Sequence, residues 1–385
     1  MRSARASPVR RGPAHEEPGR DGHGSRFARG TTASVGSRRV SGLSEEVGGV
    51  VVVGAGSWGT TIALLLSAKR PVTLWARSSE LARVLDSTHV NPRYLPEVAL
   101  PPSVRATASL ADAVADAAVV LVAVPSHGVR AVLEAMAPLL PAGAAVVSLA
   151  KGIEAGTNLR MSEIVAEVLP GHPVAVLTGP NLSREVAAGH PAATVVACED
   201  ESVARCVQDL LHCGTFRVYT GTDVVGCEIA GASKNVIAIA AGVCDGLGFG
   251  DNTRAVLVTR GLAEQVRLGL ALGGHALTFG GLAGVGDLVA TCTSPQSRNR
   301  SLGAALGSGR QLEEVLAGMH MVAEGVRTAR PLVGLAEAHR VEMPIAAQVA
   351  ALVAGETSPA DALSALMERP PRPEWDDALL REVGD

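Results

Sequence analysis

Short apolar segments alternate with amphipathic segments from residue 50 onward. Val50–Val53 is a run of four valines, which is typical of a strand buried on both faces of a parallel sheet. Thr61–Lys69 has the length and composition of a helix, and Gly54, Gly56 and Gly59 stand before it in GxGxxG spacing. The pattern therefore predicts a strand, a glycine-rich turn and a helix, which is the context in which this motif binds a dinucleotide.

Each glycine of the motif has its own physical reason. The first permits the tight turn, the second lets a pyrophosphate approach the backbone, and the third lets the helix pack closely on the strand. The N-terminus of the helix adds unpaired N–H groups and the positive end of a dipole. An ordinary turn between a strand and a helix is the alternative interpretation.

Further apolar runs predict the rest of a sheet. Ser78–Asp86 is a predicted helix with Ser78 as N-cap, and the proline-rich segment His89–Pro102 is a predicted loop. The predicted strands are Pro71–Ala76, Val104–Thr107, Ala118–Val124, Ala145–Leu149, Val174–Thr178, Thr194–Ala197 and Phe216–Tyr219. Repeated βα units of this kind predict an α/β fold with a parallel, doubly wound sheet of the Rossmann type.

Ligands of such sheets bind beyond the carboxyl ends of the strands. Five chemically informative residues fall at those predicted ends: Gly54, Arg77, Pro125, Lys151 and Gly179. Their convergence is stronger evidence for a binding site than any one motif.

The pattern becomes helical at about Asp223. Val224–Val243 is predicted as one long apolar helix containing Lys234, and Thr278–Asp287 is predicted as a glycine-rich turn region. The other predicted helices are Arg254–Leu272, Gln311–Ala317, Arg327–Val341, Ile345–Ala354 and Pro359–Met367. We therefore expect a disordered tail (1–46), a dinucleotide-binding domain (47–222), an all-helical C-terminal domain (223–370) and a loose C-terminal tail (371–385).

Composition excludes several classes of function. The formal net charge of −4 gives no reason to expect nucleic acid or an anionic membrane as a partner. The six cysteines form no CxxC pair, so we expect reduced thiols in a cytoplasmic protein and no metal site. No uninterrupted apolar run reaches about 18 residues, so no transmembrane helix is expected.

Only three of the 34 basic residues are lysines: Lys69, Lys151 and Lys234. Lysine persists where arginine cannot replace it, and a buried lysine can lose a proton whereas an arginine cannot. Lys234 lies inside an apolar helix, where a charge is costly unless it faces a polar cavity. Lys151 and Lys234 are therefore candidates for proton transfer to a carbonyl oxygen, with surface lysines as the alternative.

The end of the second strand determines the choice of cofactor. An acidic residue there favours NAD, whereas Arg77 can pair with a 2′-phosphate, so NADP is favoured or tolerated. Glu80 is close enough to keep NAD open. Further along, Thr291–Arg300 concentrates hydroxyls, amides and two arginines, which fits a phosphate or carboxylate site, with a solvated polar loop as the alternative.

Many motifs, in order, resemble one family. VVGAGSWGTTIA, VAVPSH, AKGIE, LTGPN, LLHCGTFRVY, GASKNVIAIAAG, DGLGFGDNTRA, GVGDLVATC and SPQSRNR resemble the bacterial NAD(P)-dependent glycerol-3-phosphate dehydrogenases, from about Gly48 to about Pro344. The resemblance implies reversible reduction of dihydroxyacetone phosphate, a small phosphorylated three-carbon substrate, to sn-glycerol 3-phosphate for phospholipid synthesis. It also implies NADPH or NADH as cofactor and a homodimer without membrane insertion.

The resemblance also implies roles for individual residues. Lys234 would be the catalytic acid and base, and Lys151 would touch both cofactor and substrate. The other implied substrate-binding residues are Gly179, Asn181, Asp287, Ser297, Arg298 and Asn299. The other implied cofactor-binding residues are Gly54, Gly56, Ser57, Trp58, Gly59, Arg77, Ser183, Arg298, Val322 and Glu324.

Three positions depart from the family pattern. Asn181 stands where Ser or Thr is usual, Ser183 where Ala is usual, and Ser233 where an aliphatic residue is usual. Two other classes of function stay open: a dehydrogenase of the same architecture that acts on a hydroxy acid, and a dinucleotide-binding regulator without catalysis. The retention of two lysines in a lysine-poor chain argues against the regulator.

Overall fold

Eight strands form one sheet in the computed structural model, which describes residues 48–319, 323–371 and 373–374. The described residues all lie within one compact unit. The sheet order is β10-β9-β8-β7-β6-β1-β2-β5, and β3 pairs with β4 in a separate hairpin. The strands are β1 Gly49–Val53, β2 Val72–Trp75, β3 Val90–Asn91, β4 Leu95–Ala99, β5 Val104–Thr107, β6 Ala117–Val122, β7 Ala145–Ser148, β8 Val174–Thr178, β9 Ala192–Ala197 and β10 Phe216–Gly221.

Helices cover both faces of the sheet. Val50 and Val52 pack on one side and Val51 and Val53 on the other, as the alternation of side chains along a strand requires. The helices that pack on the first side are α1 Ser57–Ser67, α2 Ser79–Thr88 and α7 Glu201–Leu211, and those on the second are α3 Leu110–Val114, α4 Val129–Met136 and α5 Met161–Val168. The doubly wound architecture predicted from the apolar runs is confirmed.

Three local predictions were wrong in this part of the chain. The first helix begins at Ser57 rather than Thr61, because Gly56 ends the turn and no residue after it breaks the helix. The segment His89–Pro102 contains the β3–β4 hairpin, although its prolines indicated a loop. The sheet is mixed, because β8 and β9 are antiparallel.

The antiparallel pair follows from the connection between β8 and β9. This connection contains only the short helix α6, Ser183–Ala187, which packs against α1. A parallel pair needs a crossover that returns the chain along a face of the sheet, usually through a longer helix than this one. The connection therefore stays at the carboxyl edge of the sheet, and Thr178 of β8 lies opposite Val195 of β9.

Helices make up the second part of the described chain. They are α8 Val224–Gly246, α9 Asp251–Ala271, α10 Ala276–Gly280, α11 Asp287–Thr293, α12 Arg298–Gly307, α13 Leu312–Ala317, α14 Glu324–Ala338, α15 Pro344–Val353 and α16 Pro359–Met367. Within the described residues, α8 is long and apolar enough to cross a membrane by length and composition, but 89% of its most apolar window is buried in the protein. Such burial is typical of a core helix, and α8 contributes to the apolar core of this part of the chain.

The glycine-rich segment Thr278–Asp287, predicted as a turn region, contains short helical pieces that are interrupted where Gly281 is extended and Gly284 has non-helical φ and ψ. It contains the end of α10, a π-helical turn at Leu282–Gly286 and the start of α11. Glycine lowers helix propensity, but here close packing decides the conformation. A Cβ atom on Gly269 of α9 would lie 2.0 Å from the ring of Phe279, so the ring from α10 packs directly on the backbone of α9.

Helices α8 and α12 pack with their main chains in contact. A Cβ atom on Gly242 would lie 2.0 Å from the carbonyl oxygen of Arg300, and one on Gly303 would lie 2.0 Å from the carbonyl oxygen of Ile239. A larger residue at either glycine would force the helices apart.

Three predictions fall outside the described residues. They are the disordered tail over 1–46, most of the loose tail over 371–385 and the cofactor contact of Val322. The change from strands to helices coincides with the start of α8 at Val224. The division into domains at residue 223 stays a prediction.

Candidate active site

The glycine motif forms a cradle at the carboxyl end of β1. Gly54 has a φ of 119°, which favours glycine, and a Cβ atom there would lie 2.8 Å from the backbone of Ala123. A Cβ atom on Gly59 would lie 1.8 Å from the carbonyl oxygen of Gly54, whereas one on Gly56 would meet nothing within 4 Å. Gly54 and Gly59 are therefore required by the fold. Gly56 leaves open space at the N-terminus of α1, which fits a pyrophosphate.

Other predicted cofactor residues lie around this cradle. Ser57 and Trp58 open α1, and Trp58 packs against Phe216 with ring centroids 6.3 Å apart. Arg77 is exposed between β2 and α2, whose N-cap is Ser78 as predicted. Ser183 opens α6, and its carbonyl oxygen accepts a hydrogen bond from Thr61 Oγ1 at 3.2 Å.

Glu324 joins the two parts of the chain. It is the first residue of α14, and its Oε2 atom accepts a hydrogen bond from Ser126 Oγ at 2.6 Å. Ser126 follows the carboxyl end of β6, so the contact places Glu324 at the same sheet edge as the glycine cradle. This position fits the cofactor contact that the sequence predicted.

Lys151 lies at the carboxyl end of β7, as expected. Its Nζ atom donates to the carbonyl oxygen of Gly179 at 3.0 Å and to Asp287 Oδ2 at 2.6 Å. Gly179 follows β8 and Asp287 opens α11, so one ammonium group connects two strand ends to the helical part. The lysine is partly exposed, with 17% of its side-chain surface accessible.

Lys234 meets the same carboxylate from α8. Its Nζ atom donates to Asp287 Oδ1 at 2.6 Å and to Thr291 Oγ1 at 2.7 Å, and the threonine hydroxyl in turn donates to the carbonyl oxygen of Asp287 at 2.7 Å. Lys234 is 7% exposed and Asp287 is 1% exposed. Both residues are therefore held in one geometry by buried hydrogen bonds.

Burial lowers the pKa of Lys234 to about 8, because desolvation disfavours the ammonium form. The Asp287 carboxylate raises the pKa, and the positive charge of Lys151 lowers it. The result is an amine that exchanges a proton near neutral pH, as a general acid and base requires.

A chain of amide hydrogen bonds runs behind the lysines. Asn235 Nδ2 donates to the carbonyl oxygen of Lys151 at 3.2 Å, and Asn299 Nδ2 donates to Asn235 Oδ1 at 2.9 Å. Asn299 Oδ1 accepts from the backbone N–H of Gly325 at 3.0 Å. Asn299 of α12 thus connects to α8 and α14, and its contact with the substrate stays a prediction.

The predicted anion site lies at the start of α12. Ser297 is its N-cap and accepts from the backbone N–H of Arg300, so this side chain orders the helix start. Arg298 is the first helical residue and is exposed. The guanidinium group and the positive end of the ten-residue helix together favour a phosphate here.

The departure at Ser233 is accommodated within α8. Its hydroxyl donates to the carbonyl oxygen of Ile229 at 2.5 Å and is fully buried. The polar group is therefore satisfied by its own helix. Among the described residues, no three His, Cys, Asp or Glu side chains form a group that could hold a metal ion.

Comparisons with known proteins agree with this geometry. Residues 49–204 match the family model of the NAD-dependent glycerol-3-phosphate dehydrogenase N-terminus, and residues 223–364 match that of the C-terminus. The chain belongs to this family. The fold class predicted from the sequence, a Rossmann-type domain followed by helices, is the one its members share.

Relatives of this family cover most of the chain. A glycerol-3-phosphate dehydrogenase (NAD(P)+) of Sphingopyxis alaskensis is 51% identical over 319 residues, which is 83% of this chain and 96% of the relative. One of Streptomyces griseus is 51% identical over 326 residues, covering 84% and 97%. The crystal structure of glycerol-3-phosphate dehydrogenase from Coxiella burnetii is 38% identical with a TM-score of 0.81, and it covers 84% of this chain and 99% of that chain.

Sequence reasoning missed three partners of the predicted residues. Thr291 was noted only as part of a polar segment, Ser126 only as part of a strand end, and Thr194 only as a strand residue. Ser126 directly follows the predicted strand-end residue Pro125, and Thr291 lies four residues after Asp287, which are usable signals. Thr194 carries no such signal, because its position depends on the direction of β9.

Proposed function

We propose that this protein catalyses the reversible reduction of dihydroxyacetone phosphate to sn-glycerol 3-phosphate with NADPH or NADH. The observation that carries the proposal is the carboxylate of Asp287, which bonds both Lys151 and Lys234 at 2.6 Å. This arrangement supplies a buried proton donor, in a chain that belongs to a family of glycerol-3-phosphate dehydrogenases. The product would enter glycerophospholipid synthesis.

The nicotinamide nucleotide supplies a hydride to the carbonyl carbon when it is bound. Gly56 and the N-terminus of α1 would hold its pyrophosphate, and Arg77 would pair with the 2′-phosphate that distinguishes NADPH. Glu324 and Ser126 close the cradle from the helical side. We therefore expect NADPH to be the preferred form.

The proton comes from Lys234. Its ammonium form donates from Nζ to the carbonyl oxygen during reduction, and its neutral form accepts the proton of the C2 hydroxyl during oxidation. Asp287 and Thr291 hold the Nζ atom in place during both directions. General acid catalysis of this kind contributes roughly 10²–10⁴-fold to the rate.

Lys151 and Arg298 orient the substrate. The Lys151 ammonium adds positive charge near the oxygen that becomes negative, which stabilises the transition state. Arg298 binds the phosphate of the substrate at the start of α12. The substrate is thus bound at both ends, with its carbonyl group between the two lysines.

Oxidation of NADPH and NADH, followed by absorbance, tests the proposal. Rapid oxidation that depends on dihydroxyacetone phosphate supports it. Cofactor binding without turnover on this ketone contradicts it, and turnover on a 2-keto acid instead would indicate a hydroxy-acid dehydrogenase. An Asp287→Leu variant, which removes the shared carboxylate, is the inactive control.

The assembly and location are part of the same proposal. We expect a cytoplasmic homodimer that inserts into no membrane and binds no nucleic acid. The net charge of −4 and the burial of α8 support the last two points. Sedimentation of the purified protein measures the oligomeric state.

A further inference from the structure

The amide of Asn181 has a fixed orientation. Its Nδ2 atom lies 3.0 Å from Thr194 Oγ1, and the Thr194 hydroxyl lies 2.8 Å from the carbonyl oxygen of Thr178. A carbonyl oxygen only accepts, so the single hydroxyl hydrogen of Thr194 is donated to Thr178. The threonine oxygen can then only accept from Asn181, which makes the neighbouring amide atom nitrogen rather than oxygen.

This orientation leaves the amide oxygen of Asn181 as an acceptor. The Oδ1 atom is buried and has no hydrogen-bond partner among the described residues. A buried acceptor without a partner costs free energy, so such an atom in a binding site indicates a ligand group that donates to it. Asn181 lies two residues after Gly179, whose carbonyl oxygen bonds Lys151 Nζ, so the acceptor belongs to the candidate active site.

The chemistry of the proposed substrate identifies the matching donor. The phosphate and the ketone oxygen of dihydroxyacetone phosphate accept hydrogen bonds, and the lysines and Arg298 donate them. The terminal C1 hydroxyl is the donor that the substrate offers at neutral pH. Donors for these two groups, together with the acceptor of Asn181, therefore match the pattern of this molecule.

We propose that Thr194 is a positioning residue that turns the amide of Asn181 so that its oxygen accepts a hydrogen bond from the C1 hydroxyl of the substrate. The pair then selects ketones with a hydroxymethyl group over those with a methyl or carboxylate group at C1. This inference rests on the proposed function and adds the source of its substrate specificity. Asn181 is one of the three positions that depart from the family pattern, and Thr194 gives its side chain a single orientation.

The test compares dihydroxyacetone phosphate with acetol phosphate, which carries a methyl group in place of the hydroxymethyl group. The wild-type enzyme is expected to prefer the hydroxylated ketone by at least about tenfold in kcat/KM, because the acceptor is unpaired with the analogue. Thr194→Val removes the hydroxyl while keeping the shape, and it should reduce the preference to about threefold or less, mainly through KM for dihydroxyacetone phosphate. Thr194→Ser keeps the oxygen and should restore the preference.

The ratio of the two ketones separates specificity from a general structural effect. If Thr194→Val lowers kcat/KM equally for both ketones, or raises the KM for NADPH with the ratio unchanged, the acceptor does not serve the hydroxyl and the inference is wrong. If the wild-type protein shows no preference, the inference is also wrong. If it reduces neither ketone, the proposed function fails instead.

A second variant covers the case in which Thr194→Val does not fold, because Thr194 is fully buried. Asn181 is partly exposed, and Asn181→Leu removes the acceptor at similar size. It should lose the same preference for the hydroxylated ketone. A wild-type ratio in Asn181→Leu would overturn the proposal. Thermal unfolding of each variant shows whether the fold is retained.

Discussion

The Nζ atom of Lys234 lies 2.6 Å from Oδ1 of Asp287, while the other oxygen of the carboxylate bonds Lys151 at the same distance. Two cations thus share one anion in a largely buried site. With both lysines protonated, one positive charge is left without a balancing carboxylate in this cluster. An oxygen that gains negative charge during ketone reduction supplies the missing balance, which favours the transition state over the ground state.

Lys234→Ala should lower kcat for ketone reduction by roughly 10²–10⁴-fold, because the buried proton donor is lost. Lys234→Arg keeps the charge but cannot release a proton near neutral pH, so it should be nearly as slow. Steady-state kinetics gives kcat, and fluorescence titration with NADPH should show unchanged cofactor affinity. Near-normal turnover in Lys234→Arg would show that proton transfer does not depend on this residue.

The pH dependence should follow the pKa of Lys234, which is about 8. Ketone reduction needs the ammonium form, so its rate should fall as pH rises through about 8. Alcohol oxidation needs the neutral amine, so its rate should rise over the same range. Initial rates of reduction and of oxidation, measured from about pH 6 to about pH 10, give the midpoints of the two profiles.

Asp287→Asn provides the control for this profile. The carboxylate raises the pKa of Lys234, so its removal should move the midpoint below 8 and slow the reaction. It should also destabilise the fold, because two lysines lose their shared partner. An unchanged midpoint would mean that the observed pKa belongs to another group.

Gly56→Ala should separate cofactor binding from folding. The added Cβ atom meets nothing within 4 Å in the protein, and the φ of −75° suits alanine, so the melting temperature should stay within about 2 °C. The same atom would occupy the space into which the pyrophosphate fits, so the Kd for NADPH should rise about tenfold or more. Calorimetry measures both quantities.

Gly59→Ala is the matched contrast. Its Cβ atom would lie 1.8 Å from the carbonyl oxygen of Gly54, so the turn cannot keep its shape and the protein should lose stability. If Gly56→Ala and Gly59→Ala were equally destabilising, the open space at Gly56 would have no functional meaning.

Arg77→Ala should reduce the preference for NADPH over NADH by about tenfold, because a charge-assisted hydrogen bond to the 2′-phosphate is lost. The KM for NADH should change little. Arg83→Ala removes another exposed arginine of the following helix and is the control for net charge. Equal effects of both variants would mean that the preference for NADPH over NADH comes from the overall positive charge of this surface rather than from Arg77.

Arg298→Ala should raise the KM for dihydroxyacetone phosphate by roughly 10–100-fold with a smaller change in kcat, because the phosphate loses a charge-assisted contact. Arg310 is an exposed arginine beyond the end of the same helix, and Arg310→Ala should leave the KM unchanged. Inhibition by inorganic phosphate gives an independent readout, since its inhibition constant should rise only in Arg298→Ala. A KM near the wild-type value would place the phosphate elsewhere.

Local patterns predicted much of the site because of a regular property of parallel sheets. Residues that follow successive parallel strands meet at one edge, so Gly54, Lys151 and Gly179 could be placed together from the sequence. Lys234 was identified by a different argument, the cost of a charge in an apolar helix. Its bond to Asp287 confirms that the charge is compensated inside the protein.

The features that were missed depend on packing between distant segments. The short helices after α9 form between glycines, and the ring of Phe279 from α10 packs on the backbone of Gly269 in α9. The direction of β9 is set by a short connection rather than by its own residues, and it brings Thr194 to Asn181. Neither relationship has a periodic signature along the chain.

On the proposed function, we expect the contact between α8 and α12 to limit the length of the substrate. Lys234 belongs to α8 and Arg298 begins α12, and the two helices meet main chain to main chain at Gly242 and Gly303. Backbone meets backbone at both crossing points, so we expect Lys234 and the proposed phosphate site at Arg298 to keep a nearly fixed separation. In homologous ketones with a longer chain between carbonyl and phosphate, one of these two groups would lie out of reach. The helix pair would therefore select substrates by chain length.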